Sequence, residues 1–280
     1  MNFLKKIFAY IKIARPINII ITFLVVVVSI LISQKEQTEL TTIILVSLAA
    51  ALTAAAGNII NDIYDVETDK ISHPDRVLVL GDLTKNEAWY EYLFFNFSSL
   101  LIAAYQSPIL LIIIIITIGL LFIYSSYLKR LPLVGNFVIA LITALAFIYG
   151  GIAADNVQAA VISAIFAFLI NLIREIVKDI QDIEGDSKLN FKTFPIRFRI
   201  NISKQLILSI TITLILFTIY PFITNYYKIE YFILVMIIVN PILIYSLKLL
   251  YDKSDKSIST VSRLLKFDMI MGLLAIYLGK

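Results

Sequence analysis

Apolar positions in this chain run almost unbroken for one helix length at a time. Nine such runs can be placed, at residues 17–33, 40–60, 89–105, 108–127, 131–154, 157–177, 205–223, 231–250 and 264–279. A hydrocarbon core about 30 Å thick takes roughly 20 residues of α-helix to cross, which is the scale of these segments. No linker or low-complexity stretch divides them. The pattern predicts an all-α, polytopic membrane protein with nine transmembrane helices in a single domain over residues 1–280. The first run follows Lys5, Lys6, Lys12 and Arg15, as the core of a secretory signal would. It is too long for that role, and "SQKEQTEL" after it offers no small-residue cleavage site, so it is expected to remain as a membrane helix.

Charge placement tests the count. With the N-terminus inside, only Lys35, Lys228 and Lys280 of the 24 lysines and arginines fall outside; the rest, Lys253 and Lys256 included, share the inner side. A miscounted helix would scramble that split, so the expectation is a multi-pass plasma-membrane protein with a cytoplasmic N-terminus. Composition agrees, with 60% hydrophobic and only 16% charged residues, against about a quarter charged in soluble domains. The net charge of +4 then reflects topological anchors and needs no nucleic-acid partner. The lack of cysteine excludes disulfides and catalytic thiols.

Two acidic stretches break this pattern. "NDIYDVETDK" carries Asp62, Asp65 and Asp69, and "KDIQDIEGDSK" carries Asp179, Asp182 and Asp186. Both read D-x2-D-x3-D, and positions i, i+3 and i+7 share one helix face. Each triplet is therefore expected to form a carboxylate stripe at the cytoplasmic end of an apolar helix, with Asn58 one turn before Asp62 and Asn61 beside the stripe. Three carboxylates in two turns repel one another, more so in a low dielectric, and call for a cation. Oxygen ligands without cysteine or adjacent histidine suit Mg²⁺, which prefers one or two carboxylates completed by water and phosphate oxygens. Basic residues lie where a diphosphate would need them: Arg174 and Lys178 before Asp182, Lys129 and Arg130 ending the fourth run, and Lys70 and Arg76 after the first motif. A single cluster of this kind reads equally as a solvated helix end. Two clusters of matched spacing on one side of the membrane favour a shared ligand, while Lys188, Arg199, Lys248 and Lys256 read as plain anchors.

"GNIINDIYDVETDKISHPDR", "YSSYLKRLPLVGN" and "REIVKDIQDIEGDSKLNFKTFPIRF" resemble the three signature regions of the UbiA family of intramembrane prenyltransferases, and the nine-helix plan is similar too. The resemblance spans essentially the whole chain and, within the family, looks strongest to archaeal enzymes of ether-lipid synthesis. It implies a helical bundle around a central cavity, with the two motifs facing each other and binding Mg²⁺ and the diphosphate of an isoprenoid donor, here geranylgeranyl diphosphate. Carried over by residue, it implies Asn61, Asp62, Asp65, Asp69, Asp179, Asp182 and Asp186 as metal ligands. Asp65, Asp69, Asp182, Lys178 and Arg174 would act on the reacting diphosphate. Arg15, Asn58, Asn61, Arg76, Tyr124, Lys129, Arg130, Asn136, Lys192 and Arg197 would bind substrates. One departure stands out: the family commonly follows its first motif with an Arg-Pro-hydrophobic-Pro-Ser-Gly turn, whereas here Arg76 leads into Val77, Leu78, Val79, Leu80 and Gly81.

The implied acceptor is a membrane-associated compound, either the free hydroxyl of geranylgeranylglyceryl phosphate or an aromatic ring of the hydroxybenzoate or quinone type. Arg15, Arg76, Lys192 and Arg197 are candidate seats for an acceptor anion. Ionisation of the donor would leave an allylic cation that water must not reach, and Tyr124, Phe147 and Tyr149 are candidates to face it. His73, the only histidine, reads as a solvated loop residue beside Pro74, and Trp89 as an interface anchor. A cation transporter is the alternative from another class; it would want acids near the midplane and paired broken helices, with Pro241 the one deep helix interruption in view.

Overall fold

A computed structural model describes residues 3–252 and 255–280, without the side chains of Phe3, Asp255 and Lys256. Lys253, one of the predicted inner-side cations, lies outside the described residues, as does the side chain of Lys256. Among the described residues there is no β-strand. The helices are α1 (Phe3–Ala14), α2 (Pro16–Ser33), α3 (Leu40–Ser72), α4 (Val77–Leu80), α5 (Lys85–Gln106), α6 (Pro108–Ser126), α7 (Val134–Ala153), α8 (Val157–Gln181), α9 (Ile183–Lys188), α10 (Phe194–Phe198), α11 (Ile200–Ile223), α12 (Ile229–Leu234), α13 (Asn240–Tyr251) and α14 (Asp255–Leu278). Every predicted apolar run falls on one of these helices, except that the run at 231–250 is divided. A π-helical turn, Val235–Val239, separates α12 from α13 just before Pro241. Among the described residues, seven spans are long and apolar enough to cross a membrane. The chain is a multi-pass membrane protein; α5 and α14 match those spans in length but are more polar.

Local chemistry sets the ends. Ser107 caps α6 by accepting the Leu110 amide, with Pro108 in the first turn, so α5 and α6 turn on a single residue. Thr84 and Glu87 form a reciprocal capping box at the start of α5. α3 has 33 residues, or about 50 Å at 1.5 Å per residue, so it outruns a 30 Å apolar core and carries the first acidic motif on its projecting end.

Between lipid-embedded helices, close approach replaces hydrophobic exclusion as the source of packing. α3 buries Ala49, Ala51, Ala55, Ala56 and Gly57 against its neighbours. At Gly150 of α7 an added Cβ would lie 2.6 Å from Ser29 Cβ, and this approach lets Ser29 donate to the Phe147 carbonyl at 2.5 Å. α6, by contrast, buries only Leu110, Ile114 and Ser125, and Ile112, Ile115 and Ile116 face outward, as on a lipid-facing helix.

The bundle has two distinct ends. At one, Lys280 reaches the carbonyls of Leu31 and Ile32, and Asn156 donates to the Ser33 carbonyl at 2.9 Å. Both acidic motifs lie at the other. Between the ends α2, α7, α8, α11, the α12–α13 unit and α14 enclose an apolar cavity of about 270 Å³.

Candidate active site

The first motif sits on an unbroken helix whose carboxylates already have partners. Asp62 is buried, at 3% exposure, and its Oδ1 accepts from Arg15 and, at 2.7 Å, from Arg76 Nη1. Arg15 is delivered by the junction of α1 and α2, where its backbone takes the left-handed conformation, φ 58°. That conformation is costly for a residue with a side chain and needs surrounding structure to hold it. Asn58 supplies part of that support by donating to the Ala14 carbonyl at 2.9 Å. Asp65 accepts from Lys129 and, at 2.8 Å, from Asn61 Nδ2. Asp69 is buried and its carboxylate has no hydrogen-bond or ion-pair partner among the described residues, while its backbone carbonyl accepts from the His73 amide at 2.8 Å.

Arg76 reaches Asp62 although the expected proline-rich turn is missing. It caps the short α4, which closes on Gly81 in the left-handed region at φ 71°, so a different loop delivers the same cation. α1 lies over this loop through Lys12 Nζ to the Asp75 carbonyl at 2.9 Å and Lys5 to Asp82 at 2.8 Å. Glu67, off the stripe, pairs with Lys70 at the surface.

The second motif departs from the expected single helical stripe. α8 ends at Gln181, Asp182 stands between helices with φ −95° and ψ 9°, and Asp186 belongs to α9. The hydrogen bonds from Asp182 N–H to Lys178 O and from Asp186 N–H to Asp182 O persist, so the break loosens the path without reversing it. Close packing gives the physical reason. Gly185 brings α9 against the end of α3, where a Cβ would collide with Ser72 Oγ and touch Thr68 Cγ2 at 3.4 Å.

Asp179 accepts from Asn136 Nδ2 at 2.8 Å. His73 caps the end of α3 and places Nε2 3.4 Å from Asp182 Oδ1. It therefore joins the two motifs rather than sitting in solvent, and its hydrogen bond to Asp182 raises its pKa above the usual histidine value. Asp186, at 8% exposure, is pushed up to about 7, first by burial and then by the neighbouring Asp182 and Asp65.

Arg174 and Lys178 turn to a residue the sequence reading passed over. Glu175 is buried and accepts from Arg174 Nη1 at 3.1 Å and Lys178 Nζ at 2.9 and 3.0 Å. Their expected alignment with Asp182 along the helix is thus replaced by a local charge cluster around Glu175. Tyr124 stands between the motifs, in the electrostatic field of Glu175, Asp179, Asp65 and Arg15. Three predicted binding residues lie on the exposed periphery. Arg130 stacks over Phe191 and Arg197 over Phe198, at 5.0 and 5.5 Å, while the Lys192 backbone N–H bonds to the Arg130 carbonyl at 3.2 Å. Phe147 lines the cavity, whereas Tyr149 packs into a separate core with Val26 and Ile30.

No three Asp, Glu or His side chains converge on one point among the described residues. The seven expected ligands are thus not a closed cage, because basic and amide groups separate them. The donor chemistry still fits Mg²⁺. The donors are all oxygens, Asp69 and Asp186 are buried carboxylates short of positive charge, and Mg²⁺ takes only one or two carboxylates beside water and phosphate.

A family model described as the UbiA prenyltransferase family matches residues 21–269. Curated digeranylgeranylglyceryl phosphate synthases are similar over nearly the full length: that of Methanosphaera stadtmanae is 33% identical over 273 residues, covering 96% of this chain and 98% of the relative. That of Saccharolobus solfataricus is 33% identical over 275 residues, covering 97% and 96%. A solved structure described as a digeranylgeranylglyceryl phosphate synthase in membranes superposes with a TM-score of 0.77 at 31% identity, covering 98% of both chains. A UbiA homolog from Archaeoglobus fulgidus bound to GPP and Mg²⁺ shares the fold, with a TM-score of 0.65 at 18% identity over 96% of this chain and 99% of that one.

Proposed function

The chain belongs to the UbiA prenyltransferase family, and from that premise we propose that it transfers a geranylgeranyl group from its diphosphate to the free hydroxyl of geranylgeranylglyceryl phosphate, with Mg²⁺ as cofactor. The observation that carries this reading is the meeting of two acidic motifs above an apolar cavity. His73, just past the first motif, meets Asp182 of the second, and the cavity begins at Ile17 and Asn171, within a turn of Arg15 and Arg174. The similarity to digeranylgeranylglyceryl phosphate synthases over nearly the whole chain supports the choice of acceptor.

Asn61, Asp62, Asp65, Asp69, Asp179, Asp182 and Asp186 would hold the metal, which when bound supplies Lewis-acid polarisation of the diphosphate. Lys129, Lys178 and Arg174 stabilise charge on the departing oxygens from fixed positions. Their pairing with Asp65 and Glu175 holds those positions before substrate arrives. The cavity keeps water from the allylic cation, and the Phe147 ring lines it. The carbon–oxygen bond to diphosphate breaks and its electron pair leaves with diphosphate; the hydroxyl oxygen then bonds to carbon 1 of the allylic cation, and the hydroxyl proton passes to the departed diphosphate.

In this reading α5 and α14 join the other spans to make nine crossings around the cavity, with both motifs on the cytoplasmic side. Membranes containing the protein, given geranylgeranyl diphosphate and either geranylgeranylglyceryl phosphate or 4-hydroxybenzoate, should prenylate only the former. A prenylated benzoate as sole product would replace the acceptor. The chain has no cysteine of its own, so cysteines placed at Ser72 and Ser187 report sidedness directly. Labelling of both from the outside alone would invert the topology.

A further inference from the structure

The cavity wall contains one polar group that the protein itself leaves unmatched. Six polar side chains line it: Thr143, Ser163, Asn171, Thr218, Tyr231 and Asp268. Thr143 donates to the Ile139 carbonyl at 2.9 Å, Asn171 to Ala167 at 2.9 Å, Thr218 to Ile215 at 2.6 Å and Tyr231 to Thr218 at 3.0 Å. Ser163 shares a 3.0 Å hydrogen bond with the Tyr227 hydroxyl. Asp268, in the middle of α14, is 0% exposed, and neither carboxyl oxygen has a hydrogen-bond partner among the described residues.

A buried carboxyl group without partners is costly, and within a membrane span a polar residue of this kind marks a functional interior. The rest of the wall is aliphatic and aromatic, suited to isoprenoid chains. A ligand that satisfies both is an amphiphile with a hydroxyl group near the top of its chains. The anionic end of such a ligand also has cations at hand. Lys266, on the same helix, donates to Asn18 Oδ1 at 2.6 Å, and Arg15 and Arg174 are near enough to repel it. Arg174 Nε is itself buried without a hydrogen-bond partner among the described residues.

We propose that Asp268 is the cavity's seat for the hydroxyl group of the acceptor lipid, orienting it while the chains occupy the apolar wall. This rests on the reading of the acceptor as a lipid alcohol, and it adds a residue outside both acidic motifs to the site.

The test is a binding measurement on the full-length protein in phospholipid nanodiscs. The probes are geranylgeranylglyceryl phosphate and its analogue with hydrogen in place of the free hydroxyl. The wild type should bind the alcohol about 10-fold more tightly, the effect of one buried hydrogen bond. In Asp268→Leu that preference should fall to within about 2-fold, with affinity for geranylgeranyl diphosphate unchanged within the same margin. Asp268→Ala gives the same reading should the leucine variant fail to fold, and Asp268→Asn, which keeps the shape and a hydrogen bond, should retain most of the preference. A wild type without the preference, or a leucine or alanine variant that keeps it, overturns the assignment. If the donor diphosphate still binds in that case, prenyl transfer stands and only the role of Asp268 falls; a wild type that binds no donor sinks both.

Discussion

The two acidic motifs share one spacing and differ in nearly everything else. The first rides on a continuous helix, and two of its three carboxylates, Asp62 and Asp65, are paired with cations from three other parts of the chain, Arg15, Arg76 and Lys129. The second is split at Asp182 between α8 and α9; its partners are an amide and an imidazole, and Asp186 remains buried with a raised pKa. Equal spacing thus produces a prearranged half and a half short of positive charge. The difference implies that an added cation matters most to the second motif, while the first fixes the frame.

If both halves hold one metal–diphosphate assembly, Asp65→Ala and Asp182→Ala should each lower prenyl transfer by about 10²-fold or more while leaving the protein folded. Excess chelator should abolish activity in the wild type. Full turnover in either variant would mean that its motif is not part of the machinery.

A smaller loss, about 10-fold to 10²-fold, is expected for Glu175→Gln. This change leaves both motifs intact and removes the charge that holds Arg174 and Lys178 in place. Because these cations serve the departing diphosphate, the rate should fall more than donor affinity. A pure affinity loss would show that the cluster binds without assisting departure.

The nine runs were legible because transmembrane length and apolarity are local properties, and the carboxylates because a repeated spacing is visible along the chain. Glu175, His73 and Asp268 were not. Each is a lone polar residue whose meaning comes from a partner, or the lack of one, across the fold. Glu175 lay hidden between two basic residues that seemed to belong to Asp182, and His73 seemed part of a loop because the continuation of α3 to Ser72 was unforeseen. Asp268 also breaks the impression that the acids gather only at one membrane face. Arg130, Lys192 and Arg197 fit the expected chemistry by type but occupy the rim, where nothing in their spacing distinguished them from inner cations.

The charge deficit of the second motif should also appear as stability. In the folded protein Asp186 holds a proton up to about pH 7, whereas its unfolded value lies near 3.8. The folded state therefore binds more protons across that window, and stability should fall as pH rises from about 4 to about 7. With chelator present, the melting temperature should drop by a few degrees over this range in the wild type and by less in Asp186→Asn. An unchanged slope in the variant would assign the drop to another group.

The smallest effect tests the seam between the halves. His73 is partly exposed, and at 3.4 Å its contact with Asp182 is long for a strong hydrogen bond. Packing of Gly185 against Ser72 and Thr68 already brings α9 to α3 without it. His73→Ala should therefore leave turnover within about 5-fold of wild type, since a half-exposed pair contributes at most about 1 kcal/mol. Gly185→Leu is the informative contrast, because a bulky side chain there would push α9 from α3 and move Asp186 away from Asp65. If the histidine variant loses as much activity as the glycine variant, the imidazole rather than backbone packing joins the two motifs, and the second half is less self-supporting than its close approach implies.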